Sequence, residues 1–98
     1  MKVQWTQVAY RRLEEIYAYI EKDSPSNAVK WAEKLLKKIE GVKDFPKAGR
    51  AVPELDSVSI REILYGNYRI IYKIKDNTAF IMTVRHFKQI LPLKDLEE

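Results

Sequence analysis

Residues 60–74 read IREILYGNYRIIYKI, and residues 80–89 answer with FIMTVRHFKQ. Gly66-Asn67 and Asp76-Asn77 punctuate three runs rich in Ile, Tyr and Val, the pattern of two consecutive hairpins and hence of an antiparallel three-stranded meander. Side chains alternate along a strand, so Tyr68, Ile70, Tyr72 and Ile74 share one face while Arg69, Ile71 and Lys73 share the other. The first face is core and the second is mixed. Arg61, Arg69, Lys73, Arg85 and His86 stand among these apolar residues, and cations gathered on a small sheet call for an anionic counterpart.

Working back from the meander, residues 46–57 carry Pro46, Gly49 and Pro53 with few apolar side chains and read as a loop without regular structure. Before it, Ala28, Trp31, Ala32, Leu35, Leu36, Ile39 and Val42 form a helical stripe that Pro46 ends near Phe45, unless Gly41 ends it sooner. Ser24-Pro25 pairs a capping hydroxyl with a residue favoured at the first helical position. An earlier helix from Gln7 to about Lys22 buries Val8, Ala9, Leu13, Ile16, Tyr17 and Ile20, and leaves Arg11, Arg12, Glu14, Glu15 and Glu21 to solvent. Thr6 caps it, and residues 1–5 alternate as a short strand that joins the same sheet. The expected fold is α+β: an N-terminal strand, an antiparallel helical hairpin, then a three-stranded meander completing one sheet against which the hairpin packs.

The 98 residues suit one domain, spanning the whole chain, with a single core. With 46% hydrophobic and 33% charged residues the chain is not disordered, and no apolar run approaches the roughly 20 residues of a membrane span. The start MKVQWTQ has no signal-peptide stretch and there is no cysteine, which together imply a cytoplasmic protein. A net charge of +4 favours an acidic partner. One histidine, no cysteine, no Gly-rich phosphate loop and no serine in a nucleophile motif leave metal, thiol and nucleotide-fold chemistries without residues, so no metal or cofactor is expected.

The set PKAGRAVPEL, IRE, GNYRIIYKI and TVRHFKQ, following a strand and a helical hairpin, resembles the RelE/ParE superfamily of type II toxin–antitoxin toxins over nearly the whole chain. The resemblance implies a growth-inhibiting toxin neutralised by a cognate antitoxin whose extended segment lies over the toxin. Two targets come with it: RelE-like members cleave mRNA on the ribosome through the RNA 2′-hydroxyl, and ParE-like members poison DNA gyrase without hydrolysing anything. The first chemistry needs a base, a cation for the phosphorane and an acid, roles that Glu54, Arg69 and His86 would fill in that order. The ribonuclease branches, however, place an aromatic hydroxyl beside the histidine or after the last strand, where this chain has Phe87 and Leu93, side chains that carry no proton. That departure and the long second helix favour the ParE-like reading, with the ribonuclease and a non-toxic peptide-binding module as alternatives. Arg61, Lys73, Arg85 and Lys88 are the expected contacts to RNA or to a partner.

Each residue also has a plainer explanation. Arg69 in mid-strand suits pairing with a carboxylate such as Glu62 on the neighbouring strand, and Arg61 and Arg85 admit the same. A lone histidine at a strand end is commonly a hydrogen-bonded surface residue, and Glu54 beside Pro53 is commonly solvated. Trp31 and Tyr17 are expected in the core. Lys34, Lys37 and Lys38 fit a solvated helix face, though one also suited to touch nucleic acid.

Overall fold

A computed structural model describes residues 1–97. Strand β1 (Lys2–Trp5) leads through Thr6 into helix α1 (Gln7–Asp23), and helix α2 (Pro25–Glu40) follows after the single residue Ser24. Strands β2 (Arg50–Ala51), β3 (Ile60–Tyr65), β4 (Tyr68–Lys75) and β5 (Thr78–His86) complete a five-stranded sheet in the order β1-β5-β4-β3-β2. β1 lies parallel to β5, from Lys2 opposite Thr78 to Trp5 opposite Ile81, and every other pairing is antiparallel.

Local chemistry explains the boundaries. The Thr6 hydroxyl accepts from the Ala9 N–H at 3.1 Å and donates to the Ile81 carbonyl at 3.0 Å, so one buried group both caps α1 and ties it to β5. Ser24 caps α2 through the Asn27 N–H, with Pro25 in the first turn. Asp76 and Asn77 both adopt positive φ, 52° and 56°, as a type I′ hairpin requires, and Gly66 supplies φ 56° at the other turn.

The helices cover one face of the sheet. Ala9, Leu35, Ile39 and Val42 meet Ile70, Tyr72, Ala79, Ile81 and Val84, with Trp5, Leu13, Ile16 and Trp31 packed around them. A second, smaller cluster lies elsewhere in the molecule: Val52, Ile71 and Leu91, flanked by Leu55, Ile60 and Leu96. Ile71 projects from the face opposite Ile70 and Tyr72, so the loop after β2 and the C-terminal segment cover the back of the sheet. The expected single core is therefore divided in two by the sheet itself.

Further expectations change or are narrowed. Residues 46–57 do contain a strand: Arg50 and Ala51 pair with Glu62 and Arg61. Two residues are too few to show a period, and flanking Gly49 and Pro53 read as loop. α2 stops at Glu40, where Gly41 begins a turn of 3₁₀ helix to Lys43, the earlier of the two ends the sequence allowed. Arg12, assigned to solvent, instead binds Asp95 through Nε and Nη2 at 3.0 and 3.1 Å. Asp95 is 2% exposed and also accepts from the Thr83 hydroxyl. β1 accompanies β5 only as far as Ile81, and beyond that point the guanidinium of α1 reaches the carboxylate beside Thr83. Leu36, placed in the helical stripe, is exposed.

Candidate functional site

The back of the sheet gathers its charge at one end. Arg50 stands directly opposite Glu62 across β2 and β3, while Glu62 stands opposite Ile71 across β3 and β4, making Arg69 its diagonal neighbour on the same face. Glu62 Oε2 accepts from Arg50 Nε at 2.7 Å and Oε1 from Arg69 Nε at 2.8 Å. Glu54, on the turn after Val52, grips the other end of Arg69, taking Nη1 and Nη2 at 2.7 and 2.6 Å in a bidentate pair. Two guanidinium groups and two carboxylates thus form one neutral network, with the Glu62 side chain fully buried and that of Arg69 8% exposed. Arg69 also lies opposite Arg85 in the β4–β5 register. The carboxylates offset a repulsion that would otherwise weaken that pairing.

This arrangement bears on acid–base chemistry. Hydrogen bonds from Arg69 hold the Glu54 carboxyl below its usual range, against the opposing effect of burial, and so make it a weaker base. Bonding to Glu54 raises the pKa of Arg69, again against burial. Every donor nitrogen of the Arg69 guanidinium already faces a carboxylate.

His86 belongs to a different neighbourhood. Its Nδ1 accepts the Lys88 N–H at 3.1 Å, which leaves Nε2 to carry the proton of a neutral ring. The imidazole stacks on Phe87 at 5.0 Å between centroids and meets Tyr68 edge-on at 5.4 Å, while Tyr68 in turn meets Trp31 edge-on at 5.2 Å. Glu54, Arg69 and Phe87 line one groove of about 460 Å³. His86, Arg85, Tyr19 and Gln89 line another of about 510 Å³, and Tyr68 borders both. Tyr68 is the neighbour that pattern reading missed: its place in the apolar alternation marked it as core, whereas it packs there and also edges the histidine. Burial first, and the Tyr19 hydroxyl second, push the Tyr68 phenol up from its ordinary value.

The other expected contacts are dispersed. Arg61 shares the face of its register partner Tyr72 and donates to the carbonyls of Lys47 and Gly49, the latter at 2.9 Å. Tyr72 assists by donating to the Pro46 carbonyl at 2.6 Å and accepting the Gly49 N–H at 3.1 Å. Arg85 donates to the Ile90 carbonyl, Lys88 lies 5.8 Å from the Phe87 ring centroid, and Lys73 makes no ion pair among the described residues. Nothing in the sequence near Arg50 marked it as a partner of Glu62. Among the described residues no group of three His, Asp or Glu side chains is arranged to hold a metal ion, and no helix is long and apolar enough to cross a membrane.

A family model described as the ParE toxin of the type II toxin–antitoxin system parDE matches residues 3–91. This chain belongs to the ParE toxin family. Within the curated proteins, "Putative toxin Y4kP" of Sinorhizobium fredii (strain NBRC 101917 / NGR234) is 34% identical to this ParE toxin over 93 residues, 93% of each chain. A chain of the solved chromosomal ParDE TA system from P. aeruginosa superposes with a TM-score of 0.73 at 18% identity, covering 88% of this toxin and 95% of that chain. The α+β architecture of a helical hairpin on a mixed sheet is thus the fold of a ParDE system component. The membership establishes the RelE/ParE superfamily toxin expected from the loop, strand and Val-Arg-His motifs.

Proposed function

We propose that this ParE toxin acts on DNA gyrase without hydrolysing nucleic acid itself, and that a cognate antitoxin neutralises it. The observation that carries the reading is the closed state of Arg69. A phosphorane-stabilising cation must offer its donors to the developing charge, and each guanidinium nitrogen of Arg69 is already engaged by Glu54 or Glu62. Glu54 is occupied by the same pair, and His86 lines another groove. Base, cation and acid therefore do not converge on one phosphate.

An antitoxin finds suitable ground at the C-terminal end of α2. Val42, Phe45, Ile63 and Leu64 line a groove of about 450 Å³ rimmed by Lys38 and Arg50. β2 pairs only with Arg61 and Glu62, so the outer edge of β3 beyond Glu62 is open to an added strand. An extended segment with alternating aliphatic and acidic residues satisfies both the edge and the cations. Its affinity falls with salt, but only in part, because the apolar contacts are unscreened.

One observation favours a second reading, a ribosome-dependent endoribonuclease: the Tyr68 ring beside His86, with Arg85 in the same groove. The deciding experiment incubates purified toxin with gyrase and supercoiled DNA, and separately with ribosomes engaged on message. Stalled gyrase–DNA cleavage complexes with intact message are expected. Cut message with untouched gyrase overturns the proposal, and in that case Tyr68→Phe and Arg69→Ala assign the chemistry. Absence of both activities, with tight antitoxin binding, identifies a non-toxic binding module.

A further inference from the structure

The excess charge of this protein is not spread over it. Residues 25–51, comprising α2 and the turn through β2, hold seven Lys and Arg against three Asp and Glu, which equals the whole net +4; the remaining residues balance. Within this segment Lys30, Lys34, Lys37 and Lys38 recur at helical steps of three and four, all exposed. Lys30, Lys34 and Lys37 line one shallow groove with Leu36 and Glu33. None of the four forms an ion pair among the described residues, although Glu33 and Glu40 share the helix, and Glu40 pairs with Lys43 instead. Lys37 and Lys38 in the last turn complement the helix dipole. Lys30 and Lys34 lie before that turn and have no such explanation.

We propose that this lysine ridge is a binding face for the phosphate backbone of duplex DNA, independent of base sequence and touching the groove assigned to the antitoxin only at Lys38. The composition decides between DNA and an acidic polypeptide. Protein interfaces are enriched in aromatic residues and Arg and depleted in Lys, whereas flexible ammonium groups serve phosphate contacts that need no fixed geometry. The ridge carries four lysines and no aromatic side chain. The aromatic residue and the guanidinium lie instead in the groove of Phe45 and Arg50. The inference does not depend on gyrase being the target, since the ridge binds DNA by itself.

Fluorescence anisotropy of a short labelled duplex, titrated with the 98-residue toxin chain alone, tests this. Four neutralised phosphates give a log–log salt slope of about −3 to −4, so affinity falls about 100-fold between about 50 and about 200 mM salt. Changing Lys30→Gln, Lys34→Gln, Lys37→Gln and Lys38→Gln together is expected to bring the slope close to zero. The pair Lys30→Gln and Lys34→Gln alone should halve it, and Lys2→Gln with Lys75→Gln, both exposed and away from the ridge, should leave it unchanged. Gln keeps helix propensity close to that of Lys, and circular dichroism verifies the fold. The proposal is overturned if the wild type shows no salt-dependent binding, or if the fourfold variant binds duplex like the wild type. Loss of affinity for a poly-glutamate probe with duplex binding intact also overturns it, by assigning the ridge to an acidic polypeptide.

Discussion

The two faces of the sheet are built on opposite principles. Toward the helices, stability comes from apolar area: Leu35, Ile70, Ile81 and Val84 have no exposed surface and no polar obligations beyond the backbone. Toward the C-terminal segment only Val52, Ile71 and Leu91 form the buried cluster, and the fold relies on the Arg69–Glu62–Glu54–Arg50 network and on Arg12–Asp95–Thr83. An apolar face tolerates imperfect geometry at moderate cost. A buried charge network does not, because losing one partner leaves another charge out of water.

The sharpest way to break this contrast is Glu62→Ala, which leaves buried Arg69 held by Glu54 alone and Arg50 without its carboxylate, and is expected to cost about 3–5 kcal/mol in urea unfolding. Replacing Glu62 and Arg69 together by Leu and Met should recover most of that loss, since apolar residues of similar volume often substitute for a buried pair. A double variant no more stable than the single one would show that Glu54 and Arg50 also need Arg69 and Glu62 in place. On the helix face, Leu35→Ala should cost about 3 kcal/mol with an unchanged urea m value. Tyr72→Phe bridges the two regimes: it stays apolar but releases the Pro46 carbonyl and the Gly49 N–H, for about 1–3 kcal/mol.

Acid titration separates the faces without changing their packing. Burial raises the Asp95 pKa, but hydrogen bonds from Arg12 and Thr83 outweigh it and leave the carboxyl below its usual 3.8. Its contribution to stability is therefore present above about pH 4 and is lost as pH falls through the depressed folded value. Asp95→Asn should show a flatter stability curve below pH 4, measured by thermal melts across pH. The smallest effect belongs to Arg50→Ala. Its side chain is 57% exposed, and the loss should stay within about 1 kcal/mol despite the buried partner.

Much of the fold is legible without coordinates because it is decided locally. Thr6 and Ser24-Pro25 start the helices as their capping chemistry requires, and Gly66 and Asp76-Asn77 turn the hairpins through backbone conformations that few other residues accept. The candidate site was legible in part. The pairing of Arg69 with Glu62 follows from two adjacent strands joined by a tight turn, whereas the closing of Glu54 onto Arg69 depends on how a loop folds back. Pattern reading also placed Tyr68 in the core and Arg12 in solvent, since an alternation or a helical stripe assigns a side chain one face and cannot express a residue that serves two surroundings.

By itself, then, the sequence determined the order of elements, the hairpin turns, the two-sided character of β4 and the toxin superfamily, all of which rest on interactions within a few residues or on motif identity. Only the tertiary structure decided that β1 runs parallel to β5, that Arg50 and Ala51 form an edge strand, and that Arg12 meets Asp95 across 83 positions of chain. The physical reason is that long-range partners are selected by what burial leaves unpaired after the sheet and helices have packed, and a buried carboxylate takes whichever guanidinium the fold brings to it.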